Sequence, residues 1–294
     1  MIQMISSAAI RNIMQSHGIS CRKSLGQNFL IDNNIIGKII ASGELTGSDL
    51  VVEIGPGLGA LTTEIARQAG KVIAVEVDRG LMTVLSEVLT GQQNVELILG
   101  DALKIDFDRL AGESTAGEYG STGKKYKLMA NLPYYITTPV LMRLLLGRFN
   151  ISIIVIMIQV EVAERLAAAP GSKTYGALSL AVQYFAKPEI LFRVPRTVFY
   201  PKPGVDSAVV RLAVRPAPAV VVRDENMLFN IIRAAFGKRR KTLLNSLTGS
   251  ALGLDRETCL RGLEIAGIDP GRRAETLSLA EFASLTDSII EVSS

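Results

Sequence analysis

Histidine occurs once and cysteine twice among the 294 residues. Those scarcities exclude several chemistries. Cys21 and Cys259 lie far apart in no paired spacing, which argues against a disulfide framework and against a zinc site. One histidine, His17, cannot build a multi-histidine metal centre, and no carboxylate cluster takes its place. A surface or helix-capping role is expected for His17, and no metal is expected. Long apolar runs are missing too. The longest, Ile151 to Ile158, has the length of a buried strand, not of a membrane span. The N-terminus lacks the basic stretch, apolar core and cleavage site of a secretory signal. The expectation is a cytoplasmic protein with no membrane attachment, acting as a monomer.

What is present supports a sizeable packed core: 48% of the residues are apolar and 20% charged. The net charge of +4 permits an anionic partner without demanding one. The first half alternates β-rich runs with helical patterns. Leu50–Ile54, Val72–Glu76, Val95–Leu99, Lys127–Ala130 and Ile151–Ile158 read as strands. Helices are expected near Ala60, near Arg79 and after Thr138-Pro139. Strand and helix in turn predict an α/β fold with a doubly wound, mostly parallel sheet and ligands beyond the carboxyl ends of its strands. Val209–Leu212 reads as a last strand. Arg215-Pro216-Ala217-Pro218 then reads as a linker to a smaller all-helical domain, giving domains 1–215 and 216–294. Gly112 to Lys125 is rich in Gly, Ser and Thr and is expected to be a flexible surface insertion.

Three strand ends carry groups suited to one adenosine. Glu53-Ile54-Gly55-Pro56-Gly57-Leu58-Gly59 leaves a strand and enters a helix. Gly55 and Gly57 let the backbone turn sharply and let a ligand approach. The third glycine comes one residue earlier than in the dinucleotide pattern, which suits a cofactor without phosphate such as S-adenosylmethionine. Glu76 closes the second strand, where it suits the ribose hydroxyls; a strand-end acid in solvent is the alternative. Asp101 follows the third strand, where it suits the cofactor's adenine amine; a helix N-cap is the alternative.

The fourth strand ends in Asn131-Leu132-Pro133-Tyr134. The amine of adenine is a poor nucleophile because its lone pair is delocalised into the ring. Two acceptors, the Asn131 side-chain carbonyl and the Pro133 backbone carbonyl, would draw that nitrogen toward tetrahedral geometry and aim it at a sulfonium methyl. Placement and electrostatics then replace a strong base or a metal. Tyr134 is expected to stack on a base flipped out or already unpaired. Within Val198 to Ser207, Phe199 is a candidate for the base's other face and Lys202 for a phosphate; a core aromatic beside a rigid turn is the alternative for Phe199. Arg233, Lys238, Arg239, Arg240 and Lys241 make five basic residues in nine, with no acid among them. This is the footprint left by RNA phosphate contacts, or else a solvated helix face.

The chain resembles the small-subunit ribosomal RNA adenine N6-dimethyltransferases over nearly its whole length. The resemblance runs through Ser24–Leu30, Val52–Gly59, Asn131–Tyr134, Glu161–Leu166, Phe199–Ser207 and Ala235–Leu243. It implies a Rossmann-like class I methyltransferase fold. It also implies dimethylation of two adjacent adenosines near the 3′ end of 16S rRNA in the assembling small subunit, with S-adenosylhomocysteine as the second product. Asn28 and Leu30 are implied cofactor contacts, and Gly55, Glu76, Asp101 and Asn131 match the remaining cofactor positions. Gly112–Lys125 is longer than the family pattern, and Val160 stands where a basic residue is expected. Two rivals remain. One is the sister group of 23S rRNA adenine methyltransferases, against which Leu132 and Lys238–Lys241 speak. The other is an NAD-dependent oxidoreductase, which gives Asn131, Pro133 and Tyr134 no task.

Overall fold

The computed structural model describes residues 7–19, 26–238 and 240–293. Cys21, the Ser24-Leu25 pair and Arg239 lie outside the described residues. In chain order the elements are α1 (Ser7–Ser16), β1 (Phe29–Leu30), α2 (Asn33–Ser42), β2 (Leu50–Ile54), α3 (Ala60–Gln68), β3 (Lys71–Glu76) and α4 (Arg79–Val88). Next come β4 (Val95–Leu99), α5 (Phe107–Ser114), β5 (Tyr126–Asn131), α6 (Thr137–Leu146), β6 (Ile151–Gln159) and α7 (Val160–Leu166). The remainder is α8 (Ala177–Phe185), β7 (Ala186–Val194), β8 (Phe199–Tyr200), β9 (Ser207–Val214), α9 (Glu225–Phe236), α10 (Leu243–Thr248), α11 (Arg256–Ile265) and α12 (Leu279–Ser293).

Seven strands form one sheet in the order β4-β3-β2-β5-β6-β9-β7. The neighbours from β4 to β6 pair in parallel, and β9 runs antiparallel to β6. Strand order reverses between β2 and β5, and such a reversal opens a crevice at the carboxyl edge. Every residue of β2 is buried, as a central strand covered on both faces must be. Ile36, Ile39 and Ile40 of α2 and Leu61 and Ile65 of α3 recur at helical spacing and pack on Val51, Met129, Val155 and Met157. Aspartates start the helices: Asp32, Asp78 and Asp106 accept backbone N–H groups at the N-termini of α2, α4 and α5. β1 and β8 pair in a separate two-stranded ribbon. His17 closes α1, with Nδ1 2.9 Å from the Ile13 carbonyl and Nε2 2.9 Å from Glu87 on α4. The Ile13 hydrogen bond and then Glu87 raise its pKa.

The expected strands all occur, and the fold is the α/β one predicted. Other expectations need correction. The chain forms two units, but the second is not contiguous: it joins Glu164–Pro188 to Arg215–Ser294, whereas the sequence reading keeps everything before 216 in the first domain. The reason lies in α8. Tyr184 hydrogen-bonds Glu225 at 2.9 Å, and the Phe185 ring stacks on Phe229 of α9 at 5.9 Å. Within the same unit α11 and α12 approach closely at Gly262, where any side chain would meet Ile289. β7, absent from the sequence reading, closes one sheet edge.

Gly112–Lys125 is not a loose insertion. Its first residues finish α5, and Tyr119 is buried with its hydroxyl donating to the Ser48 carbonyl. The Asn150 amide donates to the carbonyls of Gly120 and Gly123 at 2.7 and 3.0 Å. Asp108 accepts from the Asn150 backbone and the Tyr126 hydroxyl at 2.9 and 2.8 Å. Composition suggests a floppy loop because the anchors, Ser48 and Asn150, lie outside it. Asn150→Ala is expected to lower unfolding free energy by about 2 kcal/mol. Denaturant titration measures that loss, and hydrogen exchange should quicken across residues 115–125 first.

Candidate active site

The carboxyl edge of the sheet surrounds a cavity of about 330 Å³. Asn28, Leu30, Gly55, Gly57, Glu76, Asp101, Asn131, Pro133, Tyr134 and Phe199 all border it, so the structure brings every expected catalytic and cofactor residue to one place.

Gly55, Gly57 and Gly59 all have positive φ, between 62° and 80°. A Cβ on Gly57 would also sit 3.2 Å from the Phe29 ring, so this turn is closed to other residues on two grounds. Glu76 is held rigidly. Its Oε1 accepts from the Val77 and Asp78 N–H groups, each at 2.9 Å, and its Oε2 from Gly57 N–H at 3.3 Å. Burial raises its pKa against those bonds. Asp101 Oδ1 accepts from Leu103 N–H at 2.9 Å and closes a local turn; the helix that follows starts at Phe107 and is capped by Asp106 instead.

The Asn131 amide donates through Nδ2 to the Asn28 carbonyl at 3.3 Å. That bond commits the nitrogen and leaves Oδ1 as the acceptor. The Pro133 carbonyl departs from expectation. It already accepts from Ile136 N–H and from the Thr137 hydroxyl, both at 3.2 Å. The tight turn through Tyr134–Ile136 consumes it. Among the described residues no donor reaches the Leu132 carbonyl, at the very end of the strand. The Tyr134 ring is half-buried, with its hydroxyl 2.8 Å from Ser207 Oγ. Burial, ahead of other causes, raises its pKa.

Phe199 is only 4% exposed and packs in the core beside Leu30 and Val209. The core-aromatic alternative describes it, although its ring still borders the cavity. Lys202 is exposed on the loop that follows. In the second unit Arg233, Lys238, Arg240 and Lys241 are exposed at the end of α9 and the start of the next turn. Arg233 is tied to Asn230 at 2.6 Å. Val160 begins α7 and donates its N–H to the Asp206 carbonyl.

Glu53 is the residue that the sequence reading missed. It is 1% exposed and borders the cavity, and among the described residues its Oε2 has no hydrogen-bond partner. Burial, opposed by the neighbouring Thr62 hydroxyl and reinforced by the charge of nearby Glu76, pushes the Glu53 pKa up to about 8. The signal was present: an acid inside the otherwise apolar run Leu50–Ile54.

Comparison with known proteins agrees with this geometry. Residues 18–291 match the family model described as ribosomal RNA adenine dimethylase. A ribosomal RNA small subunit methyltransferase A from Pelotomaculum thermopropionicum is 67% identical over 291 residues, covering 99% of each chain. The protein of the same name from Moorella thermoacetica is 54% identical, covering 93% of this chain and 94% of its own. Among solved structures, a dimethyladenosine transferase from Plasmodium falciparum superposes with a TM-score of 0.71 at 27% identity, over 87% of this chain and 95% of that one. The 23S rRNA methyltransferase ErmE has the same fold, with a TM-score of 0.67 at 24% identity over 89% and 99% of the two chains. The chain belongs to the ribosomal RNA adenine dimethylase family.

Proposed function

We propose that the chain uses S-adenosylmethionine to dimethylate the N6 amines of two adjacent adenosines near the 3′ end of 16S rRNA, in the assembling small subunit. It would do so in the cytoplasm, as a monomer. One observation carries this reading: a single cavity joins three strand-end acids to the Asn131 amide.

The fit to the cofactor rests on charge and shape. Glu53 offers a buried, unpartnered oxygen to a cationic ligand, and Gly57, at positive φ, lets the turn of the wall pack against the Phe29 ring. Glu76 would hold the ribose, Asp101 the adenine edge, and Gly55, Asn28 and Leu30 the surrounding wall. Bound there, the cofactor supplies a methyl on a cationic sulfur, an electrophile that needs no metal. The protein's own task is to prepare the target amine. Asn131 Oδ1 accepts one N–H. Because the Pro133 carbonyl is engaged in its turn, the Leu132 carbonyl is the better second acceptor. Tyr134 stacks on the base, and Phe199 backs the wall from the core. Lys202, Arg233, Lys238, Arg239, Arg240 and Lys241 would meet phosphates, so binding should weaken as salt rises.

The direct test adds labelled S-adenosylmethionine to undermethylated small subunits and maps the modified base. N6,N6-dimethyladenine is expected, while large subunits offered in parallel stay unlabelled. Asn131→Ala removes roughly 3–4 kcal/mol of barrier stabilisation, so kcat should fall about 10²- to 10³-fold. An undiminished rate in that variant defeats the mechanism.

Glu53 gives a second prediction, with a definite sign. An acid with a raised folded pKa favours the fold while protonated. That contribution is complete below the ordinary value of 4.5 and is lost as pH climbs to about 8. Ligand-free protein should therefore lose melting temperature across this window. Glu53→Gln should flatten the loss, melt higher than the native chain at pH 8, and bind the cofactor more weakly by calorimetry.

A further inference from the structure

We infer that Ser207 is a positioning residue for the target base, because its hydroxyl fixes the ring of Tyr134. The inference rests on the reading of Tyr134 as the stacking platform.

The sheet explains how Ser207 reaches the site. β5 and β6 run parallel and end at the carboxyl edge. β9 runs the other way, so its first residue lies at that same edge: Ser207 pairs with Gln159, the last residue of β6. A parallel strand in this position would put its last residue there instead. Ser207 is 1% exposed, and its Oγ lies 2.8 Å from the Tyr134 hydroxyl.

Tyr134 needs such a partner. It sits in a turn of three residues, Tyr134–Ile136, with no regular helix behind it until Thr137. A ring hung from so short an element has its axis set at one end only. The hydrogen bond at the phenol oxygen supplies the other end. The anchor itself is stiff. Asp206 accepts the Arg196 N–H at 2.9 Å, and Arg196 donates to the Gly204 carbonyl at 2.9 Å. Val160 N–H holds the Asp206 carbonyl at 3.1 Å. Burial disfavours the ionised phenol, so the hydroxyl stays neutral and able to donate. Ser207 thus ties the loop ending at β9 to the ring beside Asn131, and the base is registered against both.

The test removes the bond from each side. Ser207→Ala and Tyr134→Phe should each lower kcat on undermethylated small subunits by about tenfold, the worth of one hydrogen bond. The KM for RNA should hold, since phosphate contacts dominate that affinity. Cofactor affinity by calorimetry should also hold. An RNA hairpin with 2-aminopurine at the target position should be quenched less by either variant. The double variant should be no slower than Tyr134→Phe alone, and Ser207→Thr, which keeps the hydroxyl, should retain most activity. Losses that multiply in the double variant overturn the inference. So does Tyr134→Phe at native kcat, which remains decisive if Ser207→Ala fails to fold. Tyr134→Ala separates the two readings. If that variant is inactive while both single deletions are native-like, only the Ser207 inference falls. If it is fully active, the stacking reading falls and takes the inference with it.

Discussion

Parallel strands bring their carboxyl ends to one edge of a sheet, and the chemistry of this chain depends on that constraint. Glu53, Glu76, Asp101 and Asn131 are scattered in sequence, yet each lies within the last two residues of a strand of the same parallel set or just after one. The sheet interior is apolar and fully buried, so polar groups concentrate where the strands stop. The reversal of strand order between β2 and β5 separates the helices that follow and leaves the cavity between them. β9 meets the same requirement by inversion, delivering its amino end where its neighbours deliver their carboxyl ends.

A second layer of order comes from the segment before the sheet. The Asn28 carbonyl accepts the Asn131 amide and so decides which way that amide faces. Phe29 lies against the space that Gly57 leaves empty, and Leu30 pairs with Phe199 across the small ribbon. Family resemblance implied that Asn28 and Leu30 meet the cofactor. Their positions suggest a more basic task, which is to set the shape and polarity of the cavity before any ligand arrives.

These distinctions mark how far the sequence could be read. Strand ends were legible because an apolar run stops at a polar residue, and the glycine turn because its spacing has few other uses. Partnerships across the fold were not. The Pro133 carbonyl looked free until the turn engaged it with Ile136 and Thr137. Phe199 looked like a platform until β8 packed it into the core. Gly112–Lys125 looked loose because Ser48 and Asn150, which anchor it, lie outside it. Residues 177–185 fell inside the first domain as read from the sequence, since nothing local says that their aromatics belong with Phe229. In each case the residue's nature was read correctly and its partner was missing.

Glu53 extends this argument, because among the described residues no donor reaches its Oε2. A buried acid with an unpaired oxygen weakens the ligand-free fold. An apolar residue in its place would suit β2 better, as the rest of that strand demonstrates. Local rules of folding are kept almost everywhere else in this sheet: helices are capped, strands are apolar, and Glu76 has all three of its backbone donors. A single violation at the wall of the cavity is best understood as stability given up for binding. A cation entering the cavity would supply what the fold withholds, so the same residue that strains the empty protein would favour the loaded one.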